Sequence, residues 1–156
     1  MTWYLDWSPT GNKMIREYTQ PDADVTVSIW LNASIEAHNF IPQSYWENKV
    51  DDMKNIYLPN SNTFVYEQEN QIIGFISLID DYLAAIFVSP QYQNIGIGKE
   101  LMNHVKSKKE ELLLKVYIKN KSSVEFYKRQ GFRIIGEQQD EDTVEMEYKM
   151  KWSKKA

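Results

Sequence analysis

Near the C-terminus, Val144, Met146, Tyr148, Met150 and Trp152 alternate with Glu145, Glu147, Lys149 and Lys151. An apolar period of two makes a β-strand with one face on a core and the other in water. A chain ending this way is organised around a sheet, and the earlier runs supply its partners. "MIREYT" at residues 14–19 reads as a short strand. "TFVYEQ" and "IIGFISLI" are β-rich and separated by Glu69-Asn70, a hairpin turn because Asn tolerates left-handed backbone. "YLAAIFVS" stops at Pro90, and "LLLKVYI" is apolar enough to be covered on both faces.

Between these strands the period becomes helical. Pro21 and Asp22 start a helix carrying Val25 and Ile29 through residue 36, and a second follows Pro42 with Tyr45, Trp46, Val50, Met53 and Tyr57 at helical spacing, until Pro59 and Asn60. A third covers residues 96–109 with Leu101, Met102 and Val105 inward, and a fourth runs from Ser122 to Gln130, with Gly131 as its C-terminal stop. The order is strand, two helices, three strands, helix, strand, helix, two strands. That is a mixed α/β sheet in one layer with helices packed on it. A doubly wound nucleotide fold would alternate more regularly.

At 156 residues, with 42% hydrophobic and 26% charged residues, the chain suits one soluble domain. It has no cysteine, which excludes thiolate chemistry and disulfides, and two histidines, His38 and His104, are too few to suggest a metal site. A net charge of −4 argues against nucleic acid and is compatible with a cationic partner such as an amine. Neither a leader nor a membrane span is legible, so the expected location is the cytoplasm. Residues 1–13 form an N-terminal extension ahead of a single domain at 14–156. Its Trp3, Tyr4, Leu5 and Trp7 suggest docking on the domain or a neighbouring subunit; a tolerated upstream start is the alternative.

Gly96 and Gly98 stand at a strand-to-helix junction, where glycine lets backbone approach a ligand and the first helical turn offers unpaired N–H groups. The site suits a phosphate. A dinucleotide fingerprint fails because Leu101 stands at its third glycine, and a P-loop fails at Gln93 and Glu100. The pair read alone also fits tight helix packing.

The surrounding residues narrow this. Gln93-Asn94-Ile95-Gly96-Ile97-Gly98 resembles the Gln/Arg-x-x-Gly-x-Gly/Ala motif by which GCN5-related N-acetyltransferases (GNAT) bind the pyrophosphate of acetyl-CoA. "NKSSVEFYKRQGF" is similar to a second signature of that family, with Asn120, Phe126, Tyr127, Gly131 and Phe132 in register and Ser123 at the usual Ala. "AHNFI", "FVYEQENQIIGFISL" and "LAAIFVSP" look like small bacterial single-domain members, for which peptidyl-lysine acetylation has been proposed. The resemblance spans Met14 to Trp152. It implies a central, mostly antiparallel, twisted sheet of about seven strands with helices on both faces.

The same resemblance implies site roles. Backbone N–H groups of Gln93, Asn94, Ile95, Gly96, Ile97, Gly98 and Lys99 are expected to cradle the pyrophosphate, where a side chain on either glycine would intrude. Phe87 and Val88 are expected to pair with the pantetheine arm, with the Val88 N–H as oxyanion donor. Tyr127 is the expected proton donor to the thiolate, since a phenol near pKa 10 remains protonated at neutral pH; a core aromatic is the plainer alternative. Asn120 either bonds the cofactor or caps the next helix. Family members often place a catalytic Glu on the fourth strand, and "YLAAIFV" has none. Candidate bases are His38, favoured because its ordinary pKa is near 6.5, and Glu36, Asp80, Asp81 and Tyr117; a structural His38 beside Asn39 and Phe40, with an ordered water carrying the proton to bulk, is the alternative. Trp30, Trp46, Tyr57 and Phe64 read as core, with an acceptor-pocket wall as the alternative for Trp46 or Tyr45, whereas His104 reads as solvated.

The expected activity is acetyl transfer from acetyl-CoA, without metal, to a primary amine: protein lysine first, polyamine or aminoglycoside as alternatives. A non-catalytic acyl-CoA-binding regulatory module is the competing class. The assembly is expected to be a monomer or a homodimer.

Overall fold

The computed structural model describes residues 12–155; the expectations for Trp3 to Trp7 lie outside the described residues. Seven strands form one sheet in the order β1-β2-β3-β4-β5-β7-β6. They are β1 (Lys13–Glu17), β2 (Asn62–Gln68), β3 (Gln71–Ile79), β4 (Tyr82–Val88), β5 (Glu111–Tyr117), β6 (Arg133–Gln139) and β7 (Met146–Ser153). All neighbours are antiparallel except β4 and β5. The helices are α1 (Ala23–Ala37), α2 (Gln43–Glu47), α3 (Val50–Asp52), α4 (Ile97–Lys106) and α5 (Lys121–Arg129).

Alternating strand residues feed two cores. Phe64, Tyr66, Ile73 and Ile76 meet Leu101, Met102 and Val105 of α4 and Val124 of α5. On the opposite face Val65 and Phe75 meet Val27 and Trp30 of α1, Trp46 and Leu58. Covering both faces explains why β3 reads as a continuous apolar run. The Glu69-Asn70 hairpin forms as expected, with both residues at positive φ, 51° and 64°. Arg16 on β1 forks onto Asp22 at 2.8 and 3.0 Å and also reaches Glu67 at 2.9 Å, tying the entrance of α1 to the sheet.

Two expectations are corrected. The segment after Pro42 is not one helix: α2 and α3 are separate, and α3 runs into a π-turn over Met53–Tyr57 closed by Leu58 N–H to the Met53 carbonyl at 3.0 Å. The extra residue in that turn rotates the face, so Leu58 is 1% exposed and Tyr57 47%. The final strand starts at Met146, because Val144 has φ 65° and belongs to the preceding turn.

Side chains also join the two halves of the sheet. Lys106 at the end of α4 donates to the Gln130 carbonyl just beyond α5 and lies over the Trp152 ring. Among the described residues no helix is long and apolar enough to cross a membrane.

Candidate active site

The parallel junction of β4 and β5 consists of one bridge, Tyr82 to Leu113, with Leu113 N–H donating to the Asp81 carbonyl at 2.9 Å. Beyond it the strands part. The slot belongs to a cavity of about 730 Å³ whose walls include Phe87, Val88, Gln93, Gly98, Tyr127 and His38. Ser89 N–H donates toward β3, to the Ile73 carbonyl at 2.8 Å. Backbone groups alternate sides along a strand, so the Val88 N–H faces the slot. The Val88 carbonyl accepts from the Gln93 side chain at 2.9 Å, which anchors the loop to the strand.

That loop turns sharply into α4. Asn94 has φ 65° and Gly96, the N-cap, has φ 94°. No side chain caps this helix, so its first N–H groups are left for a ligand. Asn94, Gly96, Gly98 and Lys99 line the cavity, and Arg129 adds a second positive charge. An uncapped helix start beside two cations fits a pyrophosphate. Two members of the expected cradle turn their side chains elsewhere: Ile95 is 65% exposed, and Ile97 is buried in the core. Neither residue lines the cavity. A Cβ on Gly96 would meet nothing within 4 Å, so left-handed geometry explains that glycine better than crowding does; a Cβ on Gly98 would lie 3.4 Å from Phe126.

Tyr127 is held by the end of α5. Gly131, at φ 92°, donates to the Lys128 carbonyl and Phe132 to the Tyr127 carbonyl, both at 3.0 Å, completing a Schellman motif. The Phe132 ring then packs 5.8 Å from Tyr127. Burial, and secondarily Tyr82, push the Tyr127 phenol upward, so it stays protonated.

Asn120 is the N-cap of α5: its Oδ1 accepts from Ser123 N–H at 3.3 Å. Its Nδ2 is therefore turned to His38 Nε2, 3.3 Å away. This assigns Nε2 as acceptor and places the imidazole proton on Nδ1, which has no partner. His38 is stacked on Trp46 at 5.0 Å and meets Tyr117 edge-on at 5.3 Å. Burial pulls its pKa down to about 4, opposed by the nearby Ser34 carbonyl, which lies outside hydrogen-bond geometry with Nδ1. A base this weak, with its lone pair already engaged, is poorly suited to the role that sequence favoured.

The depressed pKa has a consequence for stability. Between pH 6.5 and about 4 the unfolded chain binds a proton at His38 that the folded chain refuses, so stability is full above that window and falls as pH drops through it. Lowering pH from 7 to 5 is expected to remove about 2 kcal/mol through this group. His104, also depressed by burial and by Lys108, acts in the same direction. Urea unfolding of His38→Gln beside the parent at both pH values isolates the His38 share, and parallel losses in the two proteins would refute it.

Other expectations separate. Glu36 is exposed, and neither it nor Asp80 or Asp81 lines the cavity; Asp81 pairs with Lys109 at 3.3 Å. Tyr117 does line it, with its hydroxyl given to Asp140 at 2.8 Å. His104 is not solvated: its ring packs 4.7 Å from Phe64 and its Nε2 is buried. Sequence reasoning missed Tyr82 and Glu147, both on the cavity wall. Nothing in the β7 alternation separates Glu147 from a solvated residue.

The model of the acetyltransferase (GNAT) domain matches residues 33–154. The chain belongs to the GNAT acetyltransferase family. Peptidyl-lysine N-acetyltransferase YiaC of Escherichia coli is 34% identical over 140 residues, covering 89% of this chain and 96% of YiaC. The solution structure of apo YjaB, also from E. coli, has a TM-score of 0.80 at 26% identity and covers 90% of this chain and 97% of that one. PaiA N-acetyltransferase from Thermoplasma acidophilum, solved with coenzyme A, shares the fold at a TM-score of 0.75 and 17% identity, covering 90% and 98%. The slot between β4 and β5 and the uncapped start of α4 are thus features of a GNAT domain with acetyl-CoA as its cosubstrate. Among the described residues no cluster of three metal-ligating side chains is present.

Proposed function

We propose that this GNAT domain transfers the acetyl group of acetyl-CoA to a primary amine, a protein lysine ahead of small polyamines or aminoglycosides, by direct attack in a ternary complex. The observation that carries the reading is the meeting of an uncapped helix start, the open edge at Val88 and Tyr127 on one cavity. Acetyl-CoA, when bound, supplies an activated acyl thioester. N–H groups of the loop from Gln93 to Lys99 hold its phosphates, with Lys99 and Arg129 balancing charge. The Val88 N–H stabilises negative charge developing on the carbonyl oxygen. Tyr127 gives its proton to the departing sulfur, while Asn120 and His38 position the walls.

Protein lysine is supported by the peptidyl-lysine activity named for YiaC and by the apolar walls from Trp30, Ala33 and Trp46, which suit an alkyl chain. We place the reaction in the cytoplasm, with the protein acting as a monomer or homodimer. Thiol release from acetyl-CoA, followed with lysine peptides, free N-termini, polyamines and aminoglycosides, tests the assignment. Release with lysine peptides is expected. No release with any amine, while acetyl-CoA still raises the melting temperature, would replace it with a non-catalytic acyl-CoA-binding module.

A further inference from the structure

Amine acetylation needs a group to remove the proton that a lysine carries at neutral pH. His38, the residue sequence favoured, has its Nε2 facing an amide donor. Among the described residues lining the cavity, Glu147 supplies the one carboxylate. It pairs across β5 with Tyr117, so it stands on the same face of the sheet as that residue. Asp140, nearby, is already occupied, accepting from Tyr117 at 2.8 Å, Thr143 at 2.8 Å and Asp142 N–H at 3.2 Å. Glu147 accepts only from the Gln138 amide, on Oε1 at 3.3 Å, leaving Oε2 available among the described residues.

We infer that Glu147 is the catalytic base of the transfer proposed above, taking one proton from the incoming ammonium group directly or through one water. The inference rests on that reading of the cavity. The steps balance: Glu147 takes a proton from the ammonium, the amine nitrogen bonds to the thioester carbon, and the carbon–sulfur bond breaks. The thiolate receives the Tyr127 proton, and the second nitrogen proton is lost to restore the phenol. One amide, one thiol and one solvent proton result. The groups facing Glu147 are Lys115 and Tyr117 on β5, Tyr82 on β4, Gln138 on β6 and Asp140 in the β6–β7 connection. Burial raises the carboxyl above its usual range, with Asp140 adding to this and Lys115 and Gln138 opposing it, the direction a base working near neutrality needs.

The test uses the full chain with acetyl-CoA and a lysine peptide, from pH 6 to pH 10. Glu147→Gln is expected to lower kcat/KM by about 10²-fold at pH 7, with the deficit shrinking as pH approaches the amine pKa. The acetyl-CoA-induced rise in melting temperature should persist. Glu137→Gln, an exposed residue of β6 with the same charge change, should behave as the parent. Glu147→Asp, which keeps a shorter carboxylate, should retain the acidic limb of the pH profile at a reduced rate. Parent-like turnover by Glu147→Gln would overturn the inference while the proposed function stands, as would a Glu147→Asp profile without the limb. A parent protein that acetylates no amine would overturn both.

Discussion

Tyr127→Phe is expected to reduce kcat by about 10²-fold or more while leaving acetyl-CoA binding nearly unchanged. The ring is fixed by Phe126 at 5.5 Å, Phe132 at 5.8 Å and the Gly131 cap, and the substitution keeps all of these. Only the hydroxyl is lost. Among the described residues the Tyr127 hydroxyl has no hydrogen-bond partner, so its removal is expected to cost little stability. Burial weakens the phenol as an acid, but a thiolate leaving in the same cavity is also destabilised and becomes a stronger base. Proton transfer between them stays matched. Steady-state kinetics paired with an acetyl-CoA thermal shift check this, and an unchanged kcat would make Tyr127 a wall residue only.

Gly98→Val is expected to weaken acetyl-CoA binding by about 100-fold, which corresponds to losing one or two charge-assisted hydrogen bonds. A Cβ at this position already lies 3.4 Å from Phe126, so the valine methyls must push Phe126 aside or enter the phosphate cradle. Either displacement disturbs the site, since Phe126 abuts Tyr127. Gly96→Ala provides the contrast: with nothing within 4 Å of its Cβ, it suffers chiefly left-handed backbone strain of roughly 1–2 kcal/mol. Isothermal titration of both variants checks the ordering, and the reverse order would mean that ligand phosphates crowd Gly96 instead.

The two motifs were legible because each depends on local backbone chemistry: positive φ at Gly96 and Gly131, a cap at Asn120 and a fixed helical spacing to Tyr127. The strands were legible by periodicity for the same reason. What sequence missed depends on contacts across the fold. His38 was a candidate base by its ordinary pKa alone, and its enclosure by Trp46 and Asn120 depends on contacts that no local pattern carries. Glu147 looked solvated because alternation distinguishes core from not-core, and a cavity wall falls in the second class. The π-turn at Met53–Tyr57 was hidden because one inserted residue shifts a helical face without breaking its period on either side.

The single bridge between β4 and β5 also divides the molecule mechanically. Strands β1 to β4 and strands β5 to β7 are two hydrogen-bonded panels, joined along the seam mainly by side chains such as Lys106 reaching from α4 to the Gln130 carbonyl. The α4 loop on one panel and Arg129 and Tyr127 on the other line the same cavity, so a ligand bound there as proposed acts as a rivet. Its binding energy then adds to the resistance of the whole chain to unfolding, in proportion to the logarithm of its concentration once the site is saturated.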